Sequence, residues 1–122
     1  MKALLLIAHG SRKASSNQEV ADLASKLQQL PSEFSCIGHG FLELTTPKVP
    51  DAVHALVEQG ATHITLLPYF LAAGMHVSED LPELLAQAQK AHPEVTFNLL
   101  EHLGAAELMP QWILQQALAP KN

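Results

Sequence analysis

The stretch Leu4-Leu5-Leu6-Ile7-Ala8-His9-Gly10-Ser11-Arg12-Lys13 decides the fold of this chain. Its first half is a continuous apolar run, which is typical of a β-strand covered on both faces. The run is too short for the apolar region of a secretory signal peptide, and polar and charged residues follow it directly. We therefore expect a buried first strand over 4–8, followed by a polar loop.

Downstream of this strand, helical patterns alternate with short apolar runs. Apolar residues at three- and four-residue spacing predict a helix over 16–30, which a proline ends. Thr46 and Pro47 predict the cap and the first residue of a second helix, which runs to Gln59. Gly60 is its predicted stop, and Pro50 must then lie in its first turn.

A third helix is predicted to begin at a capping box, in which Asp80 is the cap and Glu83 reaches back to it. This helix is expected to end near His92, and the residues before it, 69–79, are expected to form a long loop. A fourth helix is predicted over 105–118. The remaining apolar runs predict strands over 34–42, 64–67 and 95–100.

The resulting order, β-α-β-α-β-α-β-α, predicts an α/β fold with a four-stranded parallel sheet, right-handed crossovers and helices on both faces. A length of 122 residues suits one domain, and we expect residues 1–122 to form it. Hydrophobic residues make up 48% and charged residues 16% of the chain, which excludes a disordered protein. The formal net charge of -5 argues against a nucleic-acid partner.

Cysteine content and hydropathy indicate the compartment. Cys36 is the only cysteine in the sequence, so no internal disulfide can form and a reducing cytoplasm is the expected location. No apolar run approaches the roughly 18 residues that a membrane span requires. We therefore expect a cytoplasmic protein that does not bind a membrane.

Histidines are concentrated where the predicted strands end, and ligands of parallel α/β sheets bind beyond the carboxyl ends of the strands. Four of the seven histidines lie on or just after such an end: His9, His39, His76 and His102. Neutral imidazole is a good ligand for Co²⁺, Ni²⁺ and Fe²⁺, so these residues and Glu43 predict a metal-binding constellation. Each histidine taken alone is more often an ordinary loop residue, satisfied by backbone groups. The other three are interpreted as ordinary surface or partly buried residues: His54, His63 and His92.

Basic residues also occur at the edge of the sheet where the strands end. Arg12, Lys13 and Lys48 lie at this edge of an acidic protein, which suggests attraction for an anionic ligand; a solvated loop is the alternative interpretation.

Two better-known motifs are absent. Ala8 stands where the Arg-His-Gly motif of histidine phosphatases has its arginine, and no glycine-rich dinucleotide fingerprint follows the first strand. A phosphorylated or dinucleotide ligand is therefore not expected.

Three ordered motifs carry a family resemblance. They are His9-Gly10-Ser11-Arg12, then Phe41-Leu42-Glu43 followed by Pro47, then Leu67-Pro68-Tyr69-Phe70-Leu71 followed by Gly74, His76 and Asp80-Leu81-Pro82. Together they resemble the small sirohydrochlorin chelatases, the short relatives of the cobaltochelatases of cobalamin biosynthesis and of the sirohaem ferrochelatases. The resemblance covers nearly the whole chain. The sequence lacks the histidine-rich insertion of some archaeal relatives, and Lys48 stands where a small polar residue is expected.

The resemblance implies a chelatase-like, flavodoxin-like three-layer domain with a four-stranded parallel sheet. It implies that His9 and His76 bind the metal and assist deprotonation and that Glu43 lies in the cleft, so we assign catalysis to these three residues. It implies no ATP and no cofactor beyond the substrate metal. In the family the cleft lies between two domains, so a chain with one domain is expected to act as a homodimer.

Metal insertion replaces two pyrrole N–H protons, so a base must lie beside the macrocycle, and histidine suits proton removal near neutral pH. An imidazole can also hold the metal before the ring nitrogens take it. Sirohydrochlorin carries many carboxylates, which fits basic anchors, and its flat ring needs an apolar wall. We assign substrate binding to Ser11, Arg12, Phe70, Gly74 and Met75.

We therefore predict an ATP-independent sirohydrochlorin metal chelatase, a lyase that inserts Co²⁺ or Fe²⁺, with Ni²⁺ as a further candidate, in cobalamin or sirohaem biosynthesis. A non-catalytic metal or tetrapyrrole carrier on the same fold would use the same histidines and is the first alternative. An unrelated flavodoxin-like binding module is the second, although Ser11-Arg12-Lys13 makes a poor phosphate-binding loop.

One such domain offers a single wall for a large flat ring, and ligand sites of this kind bury most of the ligand. We therefore expect a second copy to supply the other wall, most simply through a twofold axis. The last predicted helix has more apolar residues than one buried face needs, which makes it a candidate contact, although Trp112 fits the core equally well. These apolar residues are Leu108, Met109, Trp112, Ile113 and Leu114.

Overall fold

The computed structural model describes residues 1–120, and every side chain in that range except the one of His76. The strands are β1 (Lys2–Ala8), β2 (Cys36–Phe41), β3 (His63–Pro68) and β4 (Thr96–Leu99). The helices are α1 (Ala14–Gln29), α2 (Val49–Glu58), α3 (Met75–Ala91) and α4 (Met109–Leu118), with a 3-10 helix over Leu103–Ala105. This order confirms the predicted alternation, and the predicted strand ends lie within two residues of the observed ones, a normal difference in assigning boundaries.

The sheet is parallel, with its strands in the order β2-β1-β3-β4, which confirms the predicted fold class. β1 is an inner strand, because Leu6 pairs with His39 of β2 on one side and with Leu67 of β3 on the other. At the carboxyl edge, Ala8 of β1 aligns with Phe41 of β2. The loops that follow neighbouring strands therefore begin side by side.

Burial on both faces explains the apolar run of β1. Ala3, Leu5 and Ile7 are at most 1% exposed and belong to a core shared with α2 and α3. On the opposite face, Ala8 packs with Val20 of α1. A strand covered on both faces has no solvent-facing position, so its sequence does not alternate. No buried residue within 1–120 is polar or charged, so the candidate functional side chains lie at the surface.

The start of α2 differs from the prediction. Thr46 and Pro47 do not begin this helix, whose cap is Lys48. The Pro47 carbonyl instead accepts a hydrogen bond from the Phe41 N–H at 2.9 Å, and Lys48 forms a β-bridge with Phe41. This segment extends the pairing at the end of β2, so its backbone is not available for a helical turn. Pro50 lies in the first turn, where an absent N–H leaves no helical bond unmade.

The predicted capping box at Asp80 and the predicted loop over 69–79 are wrong. α3 already begins at residue 75, and Pro82 lies inside it. An internal proline removes one backbone hydrogen bond and costs about 3 kcal/mol. The earlier start lets both Val77 and Leu81 join the core on one stripe of the helix, and each such burial contributes about 1.5–3 kcal/mol. Tertiary burial therefore outweighs the local signal.

The helix predicted over 105–118 begins four residues later than expected and ends where predicted. The 3-10 helix comes first, and α4 begins only at Met109. Pro110 lies in the first turn of α4, where a residue without an N–H is well tolerated and favours a helix start. No residue of α4 is buried, and its main neighbour in the described chain is the 3-10 helix. None of the helices within residues 1–120 is long and apolar enough to cross a membrane.

Candidate functional site

His9 is the central polar side chain at the carboxyl edge of the sheet. It follows β1, which lies between β2 and β3, and its side chain is exposed. Its ring contacts that of Phe70, with ring centroids 4.7 Å apart and planes tilted by 38°. No other side chain that the structure describes hydrogen-bonds the imidazole. As far as the described residues extend, its nitrogens are therefore free to meet a metal ion or a proton.

The backbone fastens Glu43 beside His9. The Leu42 N–H donates to the Ala8 carbonyl at 2.9 Å, and the Glu43 N–H donates to the His9 carbonyl at 3.0 Å. Gly10 makes this approach possible, because it has a φ of +93° and a Cβ at that position would overlap the Glu43 carbonyl oxygen. The carboxylate of Glu43 is exposed. The two predicted catalytic residues therefore occupy adjacent loops of one edge.

An asparagine clamps the loop after His9. The Ser11 N–H donates to Asn17 Oδ1 at 2.9 Å, and Asn17 Nδ2 donates to the Ser11 carbonyl at 2.7 Å. The Ser11 hydroxyl accepts a hydrogen bond from the Lys13 N–H at 3.0 Å. Both backbone groups of Ser11 are thus satisfied by α1, which fixes the loop that carries His9. The turn uses only one acceptor position of this hydroxyl, whose O–H remains able to donate. Its predicted substrate contact stays a prediction.

Phe70 is in ring contact with two histidines. It contacts His9 and also stacks on His102, with the Phe70 and His102 centroids 6.1 Å apart and their planes 13° from parallel. The Tyr69 N–H donates to the Ile7 carbonyl at 2.6 Å, which holds this segment against β1. His102 is thus brought to the edge, as predicted from its position after the fourth strand.

Exposed apolar side chains follow the ends of β2 and β3. Leu44 is 53% exposed, Leu71 is 72% exposed and Met75 is 81% exposed. Leu44 also has a φ of 71°, a left-handed conformation that is uncommon outside glycine and often marks a functional segment. Large apolar side chains left in water beside polar groups are typical of ligand-binding surfaces.

The three predicted basic residues remain at this edge. Arg12 and Lys13 are exposed in the loop between β1 and α1, and Lys48 is half-buried where α2 begins. No salt bridge at these three residues is recorded among the described side chains. Their charges are therefore free to attract an anionic ligand.

His76 lies in the first turn of α3, directly after the loop that leaves β3. Its side chain lies outside the described residues, so the predicted metal pair of His9 and His76 stays a prediction. Among the side chains that the structure does describe, no group of three or more histidine, cysteine, aspartate or glutamate residues is arranged to hold a metal ion. The wider constellation of several histidines with Glu43 is thus not formed by its described members.

His39 does not lie at the edge, contrary to the prediction. It pairs with Leu6 inside β2, two residues before the strand ends, and its ring packs edge-on against Phe41 with centroids 5.5 Å apart. The cavity beside it is lined by residues of α1, so the imidazole faces a helix. Burial lowers the pKa of His39 from the ordinary value of 6.5. The strand register, which places His39 below the edge, is the reason for this correction.

We predict that His39→Gln flattens the dependence of stability on pH between about pH 7.5 and 5.5. The pKa of His39 is lower in the folded protein, so the unfolded chain takes up the proton first and stability falls as pH drops below 6.5. The cavity beside the ring, of about 250 Å³, is lined by uncharged residues, so no charge there offsets this loss. Urea midpoints at both pH values measure the effect. His63→Gln, at an exposed histidine, is the control, and an unchanged slope in His39→Gln contradicts the prediction.

The remaining histidines lie away from this edge, as expected. His54 is paired with Glu58 at 2.9 Å and stacks on His92, and His63 begins β3 at the opposite edge of the sheet.

Two residues that shape the site, Asn17 and Gly104, are not among those predicted from the sequence. A signal for Asn17 existed, because asparagine near a helix start commonly bonds the backbone of the preceding loop. Gly104 carries no such signal, since a glycine is needed there only because a Cβ would overlap the carbonyl oxygen of Leu71, in a distant segment.

The parallel sheet, its layers and the histidine at its carboxyl edge define a three-layer α/β protein with a candidate ligand site beyond the strand ends. Residues 3–119 match the CbiX family. The chain belongs to that family, which confirms the resemblance found in its motifs.

Known relatives agree with this assignment. The chain is 38% identical over 92 residues to the sirohydrochlorin cobaltochelatase of Methanocaldococcus jannaschii, covering 75% of this chain and 64% of that protein. A CbiX protein of Marinobacter aquaeolei VT8 is 26% identical with a TM-score of 0.80, covering 96% of this chain and 94% of the other. The sirohydrochlorin chelatase SirB of Bacillus subtilis subspecies spizizenii, in complex with cobalt, is 28% identical with a TM-score of 0.77, covering 97% of this chain and 51% of SirB. The chain thus spans less than two thirds of the first relative and about half of SirB. The two structural matches confirm the chelatase-like fold.

Proposed function

We propose that this protein is a chelatase that inserts a divalent metal ion, Co²⁺ or Fe²⁺ with Ni²⁺ as a further candidate, into sirohydrochlorin without ATP. Membership of the CbiX family and the activities named for its relatives support this proposal. The metal is a substrate, and the protein needs no other cofactor. The reaction belongs to cobalamin or sirohaem biosynthesis. We place it in the cytoplasm, where reducing conditions suit a chain whose cysteine is free.

The observation that carries the proposal is the position of His9. Its exposed imidazole stands at the centre of the carboxyl edge, fastened through the backbone to Glu43 on one side and in ring contact with Phe70 on the other. A base, a second acid–base group and an apolar ring are therefore held in one place. A flat macrocycle with ionisable pyrrole nitrogens requires this combination.

The chemistry assigns a role to each of these groups. Insertion of a divalent ion displaces two pyrrole protons. The unprotonated nitrogen of His9 can hold the ion first and, once the ion has passed to the ring nitrogens, can accept one of the displaced protons. Glu43 is positioned to accept the second proton or to bind water on the metal. The exposed apolar side chains of Leu71 and Met75 offer a surface for the ring, and Arg12 offers a partner for its carboxylates. Gly74 leaves that surface open, because a Cβ there would meet no atom within 4 Å.

Absorbance spectroscopy tests the proposal. Sirohydrochlorin is mixed anaerobically with Co²⁺, Fe²⁺ or Ni²⁺ and a substoichiometric amount of protein, and its spectral change is followed against a protein-free control. Many insertions for each protein molecule are expected. A change that stops at one equivalent of macrocycle would identify a carrier and overturn the proposal. The ratio of rates among the three metals identifies the preferred substrate.

Glu43→Gln is expected to slow insertion less severely than loss of a histidine, by about tenfold, below the roughly 10²- to 10⁴-fold typical of a principal acid–base group. The amide keeps the shape of the side chain and the backbone contact with His9, but it cannot accept a proton. Rates as a function of pH, together with Co²⁺ affinity, measure the change. Glu101→Gln, at another exposed acid beyond a strand end, is the matched control. An unaltered pH profile and metal affinity would remove Glu43 from the mechanism.

We further propose that the protein acts as a homodimer that covers the open edge with a second wall. The support is α4 with its cap residue Leu108: Leu108, Trp112 and Leu118 are all at least half exposed. Beside it lies an apolar cavity of about 330 Å³ that Trp112 and Met109 help to line. An apolar helix left in water is expected to pack against another surface, and a second copy of the chain supplies one.

Trp112→Glu is expected to weaken the dimer at least tenfold, because a buried aromatic anchor commonly contributes 2 kcal/mol or more to an interface, about 30-fold in affinity. Light scattering over a dilution series, with specific activity measured on the same samples, reports the effect. Gln89→Glu adds the same charge at an exposed position of α3 and serves as the control. If the wild-type protein is monomeric at micromolar concentration and its specific activity does not depend on dilution, the proposal of a homodimer is wrong.

A further inference from the structure

The segment that follows β4 is fastened to the segment that follows β3. The Leu100 N–H donates to the Leu66 carbonyl at 3.0 Å, and the Gly104 N–H donates to the Phe70 carbonyl at 3.1 Å. His102 lies between these two attachments. Its carbonyl also accepts the Ala105 N–H at 2.9 Å, which closes the turn around it. The backbone on both sides of His102 is therefore held relative to the loop that carries Phe70.

The approach of the two segments requires a glycine. A Cβ at position 104 would overlap the carbonyl oxygen of Leu71, although the φ of Gly104 is not in the left-handed region. Glycine is therefore required here by the close contact between the two segments and not by an unusual backbone conformation. The consequence is a short distance between the backbone near His102 and the loop over 69–71.

Phe70 makes ring contacts with two histidines, His9 and His102. The Phe70 ring lies 4.7 Å from that of His9, and the His102 ring lies 6.1 Å from that of Phe70 with nearly parallel planes. Phe70 and His102 are half-buried, whereas His9 is exposed. Phe70 contacts both imidazoles, and the ring contacts of the described residues include none between His9 and His102 themselves, so Phe70 is the link between them.

We propose that His102 is a positioning residue: stacked on Phe70, it restrains that ring where it contacts the His9 imidazole and so fixes the orientation in which His9 meets its ligand. The role in insertion rests on the proposed function, whereas the effect on the His9 ring does not. Stacking is the property that matters. A flat apolar ring at position 102 therefore preserves the function of the histidine, and a small side chain does not.

Two variants separate positioning from acid–base or metal chemistry. His102→Ala removes the stack, whereas His102→Phe keeps a flat ring that neither binds a metal nor carries a proton. His92→Ala is the matched control, because His92 is also half-buried and stacked but lies away from the edge. Thermal unfolding is measured for each variant, and His102→Phe keeps the proposal testable if His102→Ala does not fold.

The first readout is the NMR spectrum of the protein without substrate. The carbon-bound protons of the His9 ring carry a ring-current shift from Phe70, and we expect His102→Ala to change it while His102→Phe and His92→Ala leave it near the wild-type value. The second readout is steady-state insertion of Co²⁺ into sirohydrochlorin. We expect His102→Ala to lower kcat by about 2- to 10-fold with little change in KM, in line with the strength of aromatic stacking, and His102→Phe to restore it.

Two results would overturn the proposal. One is an unchanged His9 signal in folded His102→Ala. The other is a His102→Phe protein that is folded yet as slow as His102→Ala, which would make the imidazole itself the reactive group. If wild-type protein inserts no metal, the proposed function fails, and the NMR comparison alone then decides whether His102 positions His9.

Discussion

Alanine in place of His9 is expected to abolish metal insertion while leaving the fold intact. A principal base contributes about 10²- to 10⁴-fold to a rate, and in our proposal this imidazole also holds the metal, so a loss of at least 10³-fold is expected. The side chain is exposed beyond the end of β1, and removal of such a group usually changes the free energy of unfolding by less than about 0.5 kcal/mol. Insertion rates and thermal unfolding, measured on the same preparation, test both parts.

His76→Ala is expected to have the same effect, on the strength of the motif in which it stands. His54→Ala is the matched control, since His54 is exposed as His9 is but pairs with Glu58 on α2. Near-normal insertion by folded His9→Ala or His76→Ala would show that the assigned role of that histidine is wrong. Loss of activity in His54→Ala would show that the assay reports general damage.

Gly10→Ala is expected to be strongly destabilising. An alanine in the left-handed region costs about 1–2 kcal/mol, and here its Cβ must also displace the Glu43 carbonyl. We expect the free energy of unfolding to fall by about 3 kcal/mol or more, which corresponds to a decrease in Tm of about 10 °C. Because the displaced carbonyl belongs to the segment bonded to His9, insertion is expected to fail even at temperatures where the variant is folded.

Gly60→Ala separates the two causes. Gly60 also has a left-handed φ, +106°, but a Cβ there would meet only the Met1 sulfur at an ordinary 3.9 Å. The Gly60→Ala variant is expected to lose only the conformational cost, about 1–2 kcal/mol of the free energy of unfolding, and to insert metal normally. Chemical unfolding of both variants gives the difference. If Gly10→Ala is no less stable than Gly60→Ala, the contact between Gly10 and Glu43 is not tight in solution.

Much of the fold was predictable because the relevant signals are local. The apolar run of β1 reflects burial on both faces, and Gly60 ends α2 because its left-handed φ suits glycine. Strands and helices in strict alternation leave few topologies other than a parallel sheet. The same order places the residues after each strand at one edge, so His9 and Glu43 could be assigned to a common site.

Other features could not be read locally. The capping signal at Asp80 is genuine as a pattern, but burial of Val77 moves the start of α3 to an earlier turn and tolerates Pro82 inside the helix. Thr46 and Pro47 have the residue types of a helix start, yet the segment pairs with the end of β2. In both cases a contact with a distant segment outweighs a local preference of a few kcal/mol at most.

The sequence by itself determined the layers, the parallel sheet, the family and the edge at which the candidate site lies, because periodicity and chain order are local properties. Only the tertiary structure decided that His39 faces α1, that Gly10 meets the Glu43 backbone and that His102 stacks on Phe70. These arrangements depend on strand register and on close approach between segments far apart in the chain. Their free energy comes from contacts that form only when the whole domain is folded.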